Sequence, residues 1–364
     1  MAMIKEIQHR VSILPSDFDK DIWALNTQSG VLDLKHGTLQ GHSHEQYLSK
    51  ITSVEYSDKM DCPQWKQFLQ DIFDGDGDLI HYIQKAVGYS LTGSTEEQCI
   101  FFCVGNGRNG KSTFLDTISD IMGDYACNIQ PETIMVKKVS SSANSDIARL
   151  KGARFVTTVE PNEGVRLNEG LVKQITGGDR VTARHLYGQE FEYTPEFKIW
   201  MGTNHKPIIR GRDEGIWRRL HLIPFSVQIP KEKVDKSLKD KLRQEYVGIL
   251  NWAVEGCLMW HEEGLELPPV VAKAVSEYKS EMDVVATFLD ECTERGPGEV
   301  RAGELYQAYK EWTKDNGQYL MSNTKFGLEV VKRFERKKDR DGWKYLGLRL
   351  ADDKKPYRLW VNQV

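Results

Sequence analysis

The chain has 364 residues, of which 40% are hydrophobic and 28% charged, and its net charge at pH 7 is −4. This composition is typical of a soluble globular protein, and the length is enough for two or three domains with a substantial core. The acidic balance excludes a protein that coats nucleic acid through its overall charge, so any contact with nucleic acid must be local.

Six cysteines are spread along the chain without a C-x-x-C pair. We therefore expect reduced, buried thiols in a cytosolic protein rather than a zinc site or disulfides. No apolar run reaches membrane length, and the N-terminus lacks the pattern of a secretory signal. The sequence predicts a cytoplasmic protein with no membrane partner.

The first hundred residues predict a strand- and turn-rich region followed by helices. Apolar segments at 23–25 and 31–34 flank a turn, and residues 63–93 carry apolar side chains at helical spacing in two successive stretches. Between these stretches, Asp74-Gly-Asp-Gly-Asp78 resembles a calcium loop. Its twelfth position is Lys85 instead of the required acid, so we expect a turn and a helix N-cap there.

The most informative segment is GNGRNGKST, which fits the phosphate-binding pattern G-x-x-x-x-G-K-[ST]. An apolar run over 99–104 precedes it and a helical pattern over 114–122 follows, which is the context of a phosphate-binding loop. Backbone N–H groups and the helix N-terminus would then face the phosphates, with the lysine on the β/γ-phosphates and the serine hydroxyl on Mg²⁺. The predicted nucleotide-binding residues are Gly105, Asn106, Gly107, Arg108, Asn109, Gly110, Lys111, Ser112 and Thr113.

Two more buried strands, predicted at 154–159 and 197–201, lead into polar side chains. Glu160 at the first strand end can bind Mg²⁺ or polarise the attacking water, and Glu163 could share that task. Asn204, just after the second strand, can hold the water in line with the γ-phosphate. A solvated strand end is the alternative interpretation of Glu160 and the favoured interpretation of Glu163.

Two basic segments belong to the same predicted nucleotide-binding core. Arg218 and Arg219 lie in a segment with no obvious reach to their own phosphate loop, which suggests an arginine finger acting in trans, with a salt-bridged surface pair as the alternative. Residues 181–193 predict a hairpin with Arg184 and His185 near its tip, which could contact a phosphate backbone. An ordinary edge hairpin is the alternative there.

The end of the chain predicts a separate domain beyond a linker at Leu267-Pro-Pro269. Helices at 284–294, 302–314 and 322–333 and strands at 334–338 and 343–350 indicate a winged helix. Residues 322–349 contain nine basic against four acidic side chains. A winged helix would place Lys325, Lys332 and Arg333 against DNA, whereas a solvated basic face or a protein-docking module would leave them without a nucleic-acid role.

Five motifs occur in order: GNGRNGKST, Val159–Gly164, Lys173–Asp179, Lys198–Pro207 and Gly215–Leu220. Together they resemble superfamily 3 helicases, and the closest branch is the phage and plasmid primase–helicase family, to which the poxvirus primase–helicase is similar. The resemblance covers roughly residues 20–265.

The resemblance implies a hexameric AAA+ ring that moves 3′ to 5′ on single-stranded DNA and hydrolyses ATP, with Mg²⁺, between subunits. Many relatives carry two adjacent acids in Walker B, whereas Pro161 follows Glu160 here, which leaves the roles of Glu160 and Glu163 open. The resemblance assigns Gly110 to Thr113 to Walker A, Glu160 to the Walker B acid and Asn204 to sensor 1. It assigns Arg184 and His185 to the hairpin motif, with Tyr187 lining the channel. The arginine finger matches Arg218 or Arg219.

The predicted fold is α/β, an AAA+ P-loop ATPase core with a helical N-terminal collar and a C-terminal winged-helix domain. About 60 turn-rich residues cannot hold the primase domain that family members often carry upstream, so we expect a helicase-only protein or a fragment of a larger primase–helicase. The predicted domains are a turn- and strand-rich region (1–60), a helical collar (61–95), the ATPase core (96–228), a helical extension and linker (229–280) and a winged-helix-like domain (281–364).

We therefore expect a replicative DNA helicase of a phage or mobile element that acts on single-stranded and forked DNA in the cytosol of a bacterial host. A separate primase or polymerase is an expected partner. One alternative is an origin-binding or helicase-loading ATPase with little processive unwinding. Another is a small-molecule phosphotransferase, against which the hairpin and the paired arginines argue.

Overall fold

The computed structural model of the chain describes residue 13 and residues 17–136, 145–162, 164–186, 188–211 and 213–351. It divides into two compact units, residues 1–276 and residues 277–364. The finer domain boundaries given above remain predictions. Two residues discussed above, Glu163 and Tyr187, lie outside the described residues.

The first unit begins with a three-stranded antiparallel sheet in the order β1-β2-β3. Its β1 and β2 lie where the sequence predicts strands around a turn, and the turn pairs Thr27 with Gly30. The strands are β1 (Ala24–Thr27), β2 (Gly30–Asp33) and β3 (Thr38–Gln40).

Helices α1 (Pro63–Ile72) and α2 (Gly77–Leu91) follow, as their spacing predicts. The Asp76 carboxylate accepts a hydrogen bond of 3.0 Å from the Leu79 N–H, so the predicted cap at the start of α2 is confirmed. Among the described residues, no group of three or more His, Cys, Asp or Glu side chains could hold a metal ion.

The centre of the first unit is a five-stranded parallel sheet in the order β10-β4-β9-β6-β5. Both faces of such a sheet are covered, so the strands β4 and β10 are largely buried, whereas the edge strand β5 carries the exposed Asn128. Trp200 in β9 is fully buried and stacks on Phe101 in β4, with 4.1 Å between ring centroids. The strands are β4 (Ile100–Val104), β5 (Ala126–Ile129), β6 (Phe155–Thr158), β9 (Lys198–Thr203) and β10 (Leu220–Pro224).

Helices cover this sheet, and a separate antiparallel hairpin pairs β7 (Val181–Arg184) with β8 (Glu190–Tyr193), as predicted. The helices are α3 (Lys111–Met122), α4 (Ser145–Ala148), α5 (Glu169–Thr176), α6 (Glu214–Trp217), α7 (Leu238–Gln244) and α8 (Tyr246–Glu263), with 3₁₀ turns at His44–Gln46, Gly123–Tyr125, Pro131–Thr133 and Lys231–Lys233.

Close backbone packing between α2 and α8 depends on two glycines. A Cβ on Gly88 would lie 2.0 Å from the Cys257 nitrogen, and a Cβ on Gly256 would lie 2.1 Å from the Gln84 carbonyl oxygen. Any larger residue at either position would push the two helices apart.

The segment predicted as a linker begins a helix instead, since α9 spans Pro269–Glu281. Proline is tolerated in the first turn of a helix, where its missing N–H would have no intrahelical partner. The Leu267-Pro-Pro269 signal therefore marks a helix start rather than an extended connection.

The second unit has its own core, built around aromatic residues such as Phe288, Tyr309 and Phe326. Three helices and a hairpin are present as predicted, but the first helix ends at Cys292 and a further strand, β11, follows it. The sheet is antiparallel in the order β11-β13-β12. Its elements are α10 (Val284–Cys292), β11 (Thr293–Arg301), α11 (Ala302–Asp315), α12 (Asn323–Val331), β12 (Arg336–Asp339) and β13 (Gly342–Leu350).

All six cysteines are free, and five of them are buried. Burial raises the pKa of the Cys62 and Cys257 thiols to about 12, so both are protonated and unreactive at neutral pH. Cys127 is only partly buried, so the expectation of buried thiols holds for five of the six cysteines. Across the described ranges, no helix combines the length and apolarity needed to cross a membrane.

Candidate functional site

The glycine loop leaves β4 at the carboxyl edge of the parallel sheet and enters α3 at Lys111. Gly110 has φ of +83°, and a Cβ there would lie 2.6 Å from the Ile72 side chain. A Cβ on Gly105 would lie 2.2 Å from the Phe225 carbonyl oxygen. Both ends of the loop therefore require glycine, because the left-handed backbone and the close neighbours leave no room for a side chain.

Lys111 is buried at the start of α3, and its ammonium group is held by loop oxygens. Nζ donates to the Gly105 carbonyl, to Asn109 Oδ1 at 3.2 Å and to Asn204 Oδ1 at 3.1 Å. Asn109 is fixed in turn by its Nδ2, which donates to the Phe225 carbonyl at 3.2 Å. Burial lowers the pKa of Lys111. A phosphate oxygen could take the place of these neutral acceptors and stabilise the charged form.

Glu160 and Asn204 follow the neighbouring strands β6 and β9 and meet at the same edge of the sheet. Glu160 Oε2 accepts from Asn204 Nδ2 at 2.8 Å, while Oε1 accepts from the backbone N–H groups of Asn204 at 3.0 Å and His205 at 3.1 Å. Together with Lys111, these side chains form one polar chain from α3 to β6. The structure brings together three residues that the sequence predicted separately.

A cavity of about 460 Å³ opens beside this chain, within the size range of small-ligand sites. Three of its polar lining residues, Asp116, Asn128 and Thr157, were not predicted from sequence. Asn128 in β5 donates to Thr157 Oγ1 in β6 at 3.1 Å, so these two form a polar wall. A polar residue inside a strand at the predicted phosphate edge is the signal that could have identified Asn128 and Thr157, whereas Asp116 lies on α3.

The oxygens at the cavity suit Mg²⁺. The cavity is lined by both Ser112 and Glu160, which offer a hydroxyl and a carboxylate. Mg²⁺ typically takes one or two such protein ligands and completes its shell with phosphate oxygens and water rather than with an all-protein cage. The donor set therefore fits a metal bound together with a phosphate.

The paired arginines lie at the amino ends of the parallel strands, whereas the phosphate loop leaves the carboxyl end of β4. Leu220 pairs with Ile100 at the amino end of the sheet, whereas the loop follows Val104 at the carboxyl end. Four residues of strand separate the two ends, which corresponds to about 13 Å along β4. Neither arginine lies beside the loop of its own chain.

The two arginines differ in their surroundings. Arg219 is buried, and it donates to Thr176 Oγ1 at 3.1 Å, to the Gly215 carbonyl at 2.5 Å and to Gln98 Oε1 at 3.2 Å. Burial, followed by the neighbouring charge of Arg218, lowers the pKa of Arg219. Arg218 is exposed, and its guanidinium donates to Gln98 Oε1. Arg219 is thus fixed within its own chain, and Arg218 points its charge toward solvent.

The predicted hairpin residues Arg184 and His185 are both exposed at the end of β7. The His185 ring stacks on Phe191 of β8 with 5.1 Å between centroids. Leu186 beside them is 72% exposed. The hairpin end therefore presents a cation, an imidazole and an apolar side chain to solvent.

The three predicted DNA contacts of the second unit differ in availability. Lys325 is exposed near the start of α12, while Lys332 pairs with Glu329 at 3.1 Å. Arg333 is held by Asp283 and by the Glu329 carbonyl at 2.8 Å. Arg333 therefore joins α12 to the start of α10, and Lys325 is the most available of the three.

Three family profiles match successive parts of the chain. Residues 1–74 match "D5 N terminal like", residues 103–219 match a family of unknown function (DUF5906), and residues 280–349 match "Poxvirus D5 protein-like". The middle match contains the phosphate loop, Glu160 and Asn204 and ends at Arg219.

Curated relatives are viral proteins. "Putative helicase L207/L206" of Acanthamoeba polyphaga mimivirus is 28% identical over 82% of this chain and 34% of its own length. "Putative helicase 022R" of Frog virus 3 is 27% identical over 76% and 30%, and "Primase D5" of Fowlpox virus is 23% identical over 66% and 32%. The chain thus spans about a third of the length of these relatives.

A solved structure, "The apo structure of NrS-1 C terminal region", is similar in fold. It aligns with a TM-score of 0.54 and 14% identity over 80% of this chain and 78% of that one. The mixed α/β fold with a central parallel sheet is shared, and the resemblance to the D5-type primase–helicases of superfamily 3 is confirmed.

Proposed function

We propose that this chain, a relative of the superfamily 3 primase–helicases, is an ATP-dependent DNA helicase of a virus or mobile element. The observation that carries the proposal is the polar chain Lys111–Asn204–Glu160 along the cavity at the carboxyl edge of the sheet. A lysine on a phosphate loop, a carboxylate and an amide on adjacent strands are the parts needed for hydrolysis of a nucleoside triphosphate.

In this proposal, the ATP phosphates lie over the loop, and Lys111 exchanges its contacts with Gly105, Asn109 and Asn204 for β/γ-phosphate oxygens. A Mg²⁺ ion held by Ser112 and Glu160 would neutralise charge on these oxygens. Once Lys111 moves to the phosphates, Asn204 Oδ1 is free to accept a hydrogen bond from the attacking water, and the Glu160 carboxylate beside it would polarise that water.

Arg218 is our choice for the arginine finger, acting on the site of a neighbouring subunit in a hexameric ring. Its exposure and its distance from its own phosphate loop support this choice, whereas Arg219 is occupied by three hydrogen bonds inside its chain. Hairpins carrying Arg184, His185 and Tyr187 would line the channel and move 3′ to 5′ along single-stranded DNA as the sites hydrolyse ATP.

The second unit would act as a winged-helix DNA-binding module, with α12 in the major groove and the β12–β13 hairpin as its wing. The basic segment 322–349 of this separate unit also supports the alternative of an origin-binding or helicase-loading ATPase. The two functions differ in what ATP hydrolysis produces, because a loader would hydrolyse ATP on DNA with little unwinding.

The test compares the wild type with Lys111→Ala and with a control, Lys66→Ala, at a lysine paired with Asp61 on the surface. Lys111→Ala should lower ATPase activity and unwinding of forked duplexes by at least about 100-fold, because the charge that stabilises the transition state is lost. Forks with a single 3′ tail should be unwound and forks with a 5′ tail should not. Near-normal ATPase in folded Lys111→Ala would overturn the site, and DNA-stimulated ATPase without unwinding would favour the loader.

A further inference from the structure

We propose that the wing hairpin of the second unit, residues 336–344, binds single-stranded DNA by stacking an unpaired base on Trp343. This inference deepens the proposed function and rests on it for the choice of DNA. Trp343 is 42% exposed at the start of β13, next to the hairpin turn. A tryptophan near a hairpin tip contributes little to a core, and this ring instead lies beside the cations of its own hairpin.

Two cations frame the ring. Trp343 pairs across the hairpin with Lys338, and Arg336 lies two residues from Lys338 on the same side of β12. The Arg336 guanidinium carbon lies 4.1 Å from the centre of the indole, and Lys338 Nζ lies 5.7 Å from it. Both cations can reach a phosphate while the indole contacts the attached base.

The acids of the hairpin do not neutralise these cations. Asp341 is bonded by Arg301 of β11 at 2.9 Å, and Asp339 pairs with Lys344 at 3.4 Å. Within the described residues, no acidic partner is found for the exposed side chains of Arg336, Lys337, Lys338 and Arg340. In a chain of net charge −4, this hairpin is a local site for a polyanion.

The exposed Trp343 ring indicates which kind of polyanion the hairpin would bind. A duplex offers phosphates and base edges, but its base faces are stacked on one another and hidden from protein side chains. A single strand offers base faces, which aromatic rings bind without sequence preference. The combination of an exposed indole with four cations that have no acidic partner among the described residues therefore favours a single strand over a duplex or an acidic protein surface.

The experiment uses the full chain carrying Arg184→Ala, His185→Ala and Tyr187→Ala, which removes the side chains proposed to contact DNA in the first unit. Binding is measured by fluorescence anisotropy with oligothymidylate of about 12 nucleotides, with an abasic strand that has the same phosphates, and with a duplex. Adding Trp343→Ala should weaken binding to oligothymidylate by about 5- to 150-fold and leave binding to the abasic strand unchanged. Trp343→Phe, which keeps an aromatic face, should retain most of the affinity.

Leu320→Ala is the matched control, because Leu320 is also an exposed apolar side chain of the second unit, at 38%, and lies outside both α12 and the hairpin. It should not change binding to oligothymidylate. An equal loss on intact and abasic strands, no loss, no binding at all, or a larger loss on the duplex would overturn the stacking site. Base-dependent binding in a protein that neither hydrolyses ATP nor unwinds DNA would retain this site and remove the proposed function.

Discussion

Glu160 is fully engaged by protein donors, since Asn204 and the His205 N–H occupy both of its carboxylate oxygens. We expect Glu160→Gln to bind a labelled ATP analogue normally and to lose at least about 100-fold in phosphate release, because an amide is nearly isosteric but cannot accept a proton from water. Glu55→Gln, at an exposed acid outside the cavity, should behave as the wild type.

The opposing hypothesis assigns the catalytic carboxylate to Glu163 instead of Glu160. If Glu163→Gln abolishes turnover and Glu160→Gln does not, the assignment of the two acids is reversed. The hydrogen bonds of Glu160 would then serve to position Asn204.

Because His221 in β10 is buried, we expect the free energy of unfolding to depend on pH. Its Nδ1 lies 2.5 Å from the Tyr82 hydroxyl, and burial lowers its pKa to about 4. Between that value and the unfolded value of about 6.5, the unfolded chain binds a proton that the folded chain does not. The stability present above about pH 6.5 should therefore fall as the pH is lowered toward 4, by on the order of 3 kcal/mol.

Urea denaturation at a series of pH values measures this effect. His221→Gln keeps an acceptor for the Tyr82 hydroxyl but does not titrate, so its midpoint should depend less on pH than that of the wild type. Parallel profiles for the two proteins would contradict the prediction.

The junction between α6 and β10 separates two arginines that look equivalent in the sequence. Arg219→Ala should lower the stability of the chain by about 1–3 kcal/mol, since it leaves buried acceptors at Thr176 and Gly215 unpaired. Arg218→Ala should fold normally and lose ATPase activity. Thermal melting and ATPase assays on the two single variants distinguish the structural arginine from the finger.

Mixing tests whether Arg218 acts in trans. Rings assembled from Lys111→Ala and Arg218→Ala subunits should recover part of the ATPase activity, because some interfaces combine an intact phosphate loop with an intact finger. Mixed rings that demonstrably form and stay inactive at every ratio would exclude the shared site.

Among the helices and strands, the sequence predicted those elements that a local pattern alone determines. Continuous apolar runs predicted the buried strands β4, β6 and β9, and Asp76 predicted the start of α2. By contrast, β11 was missed because its charged residues, Pro297 and two glycines resemble a loop, while its strand pairing comes from β13. The difference between Arg218 and Arg219 was not predictable either, because it depends on burial by distant residues.

The candidate site was likewise predictable from local sequence patterns only in part. The glycine pattern and the strand ends indicated Lys111, Glu160 and Asn204 as separate residues. Their hydrogen-bonded chain, and the wall formed by Asn128 and Thr157, depend on the order of strands in the sheet, which no local pattern specifies.

For the whole molecule, the charge distribution predicts a division of labour between its two units. An acidic chain that concentrates nine basic against four acidic side chains in residues 322–349, within a unit that has its own aromatic core, can bind nucleic acid there without coating it generally. Residues 277–364, expressed alone, should therefore bind duplex DNA, with an affinity that falls steeply as salt rises, because phosphate contacts release counterions.

Single-residue variants of that fragment test which helix makes the contact. Lys325→Ala on α12 should weaken duplex binding about equally for all sequences and reduce the slope of log affinity against log salt by about 1. Lys332→Ala should have a smaller effect because Lys332 is paired with Glu329, and Lys314→Ala on α11 serves as an exposed control. If the folded fragment shows no duplex binding at low salt, the winged-helix proposal fails and a protein-docking role for this unit gains support.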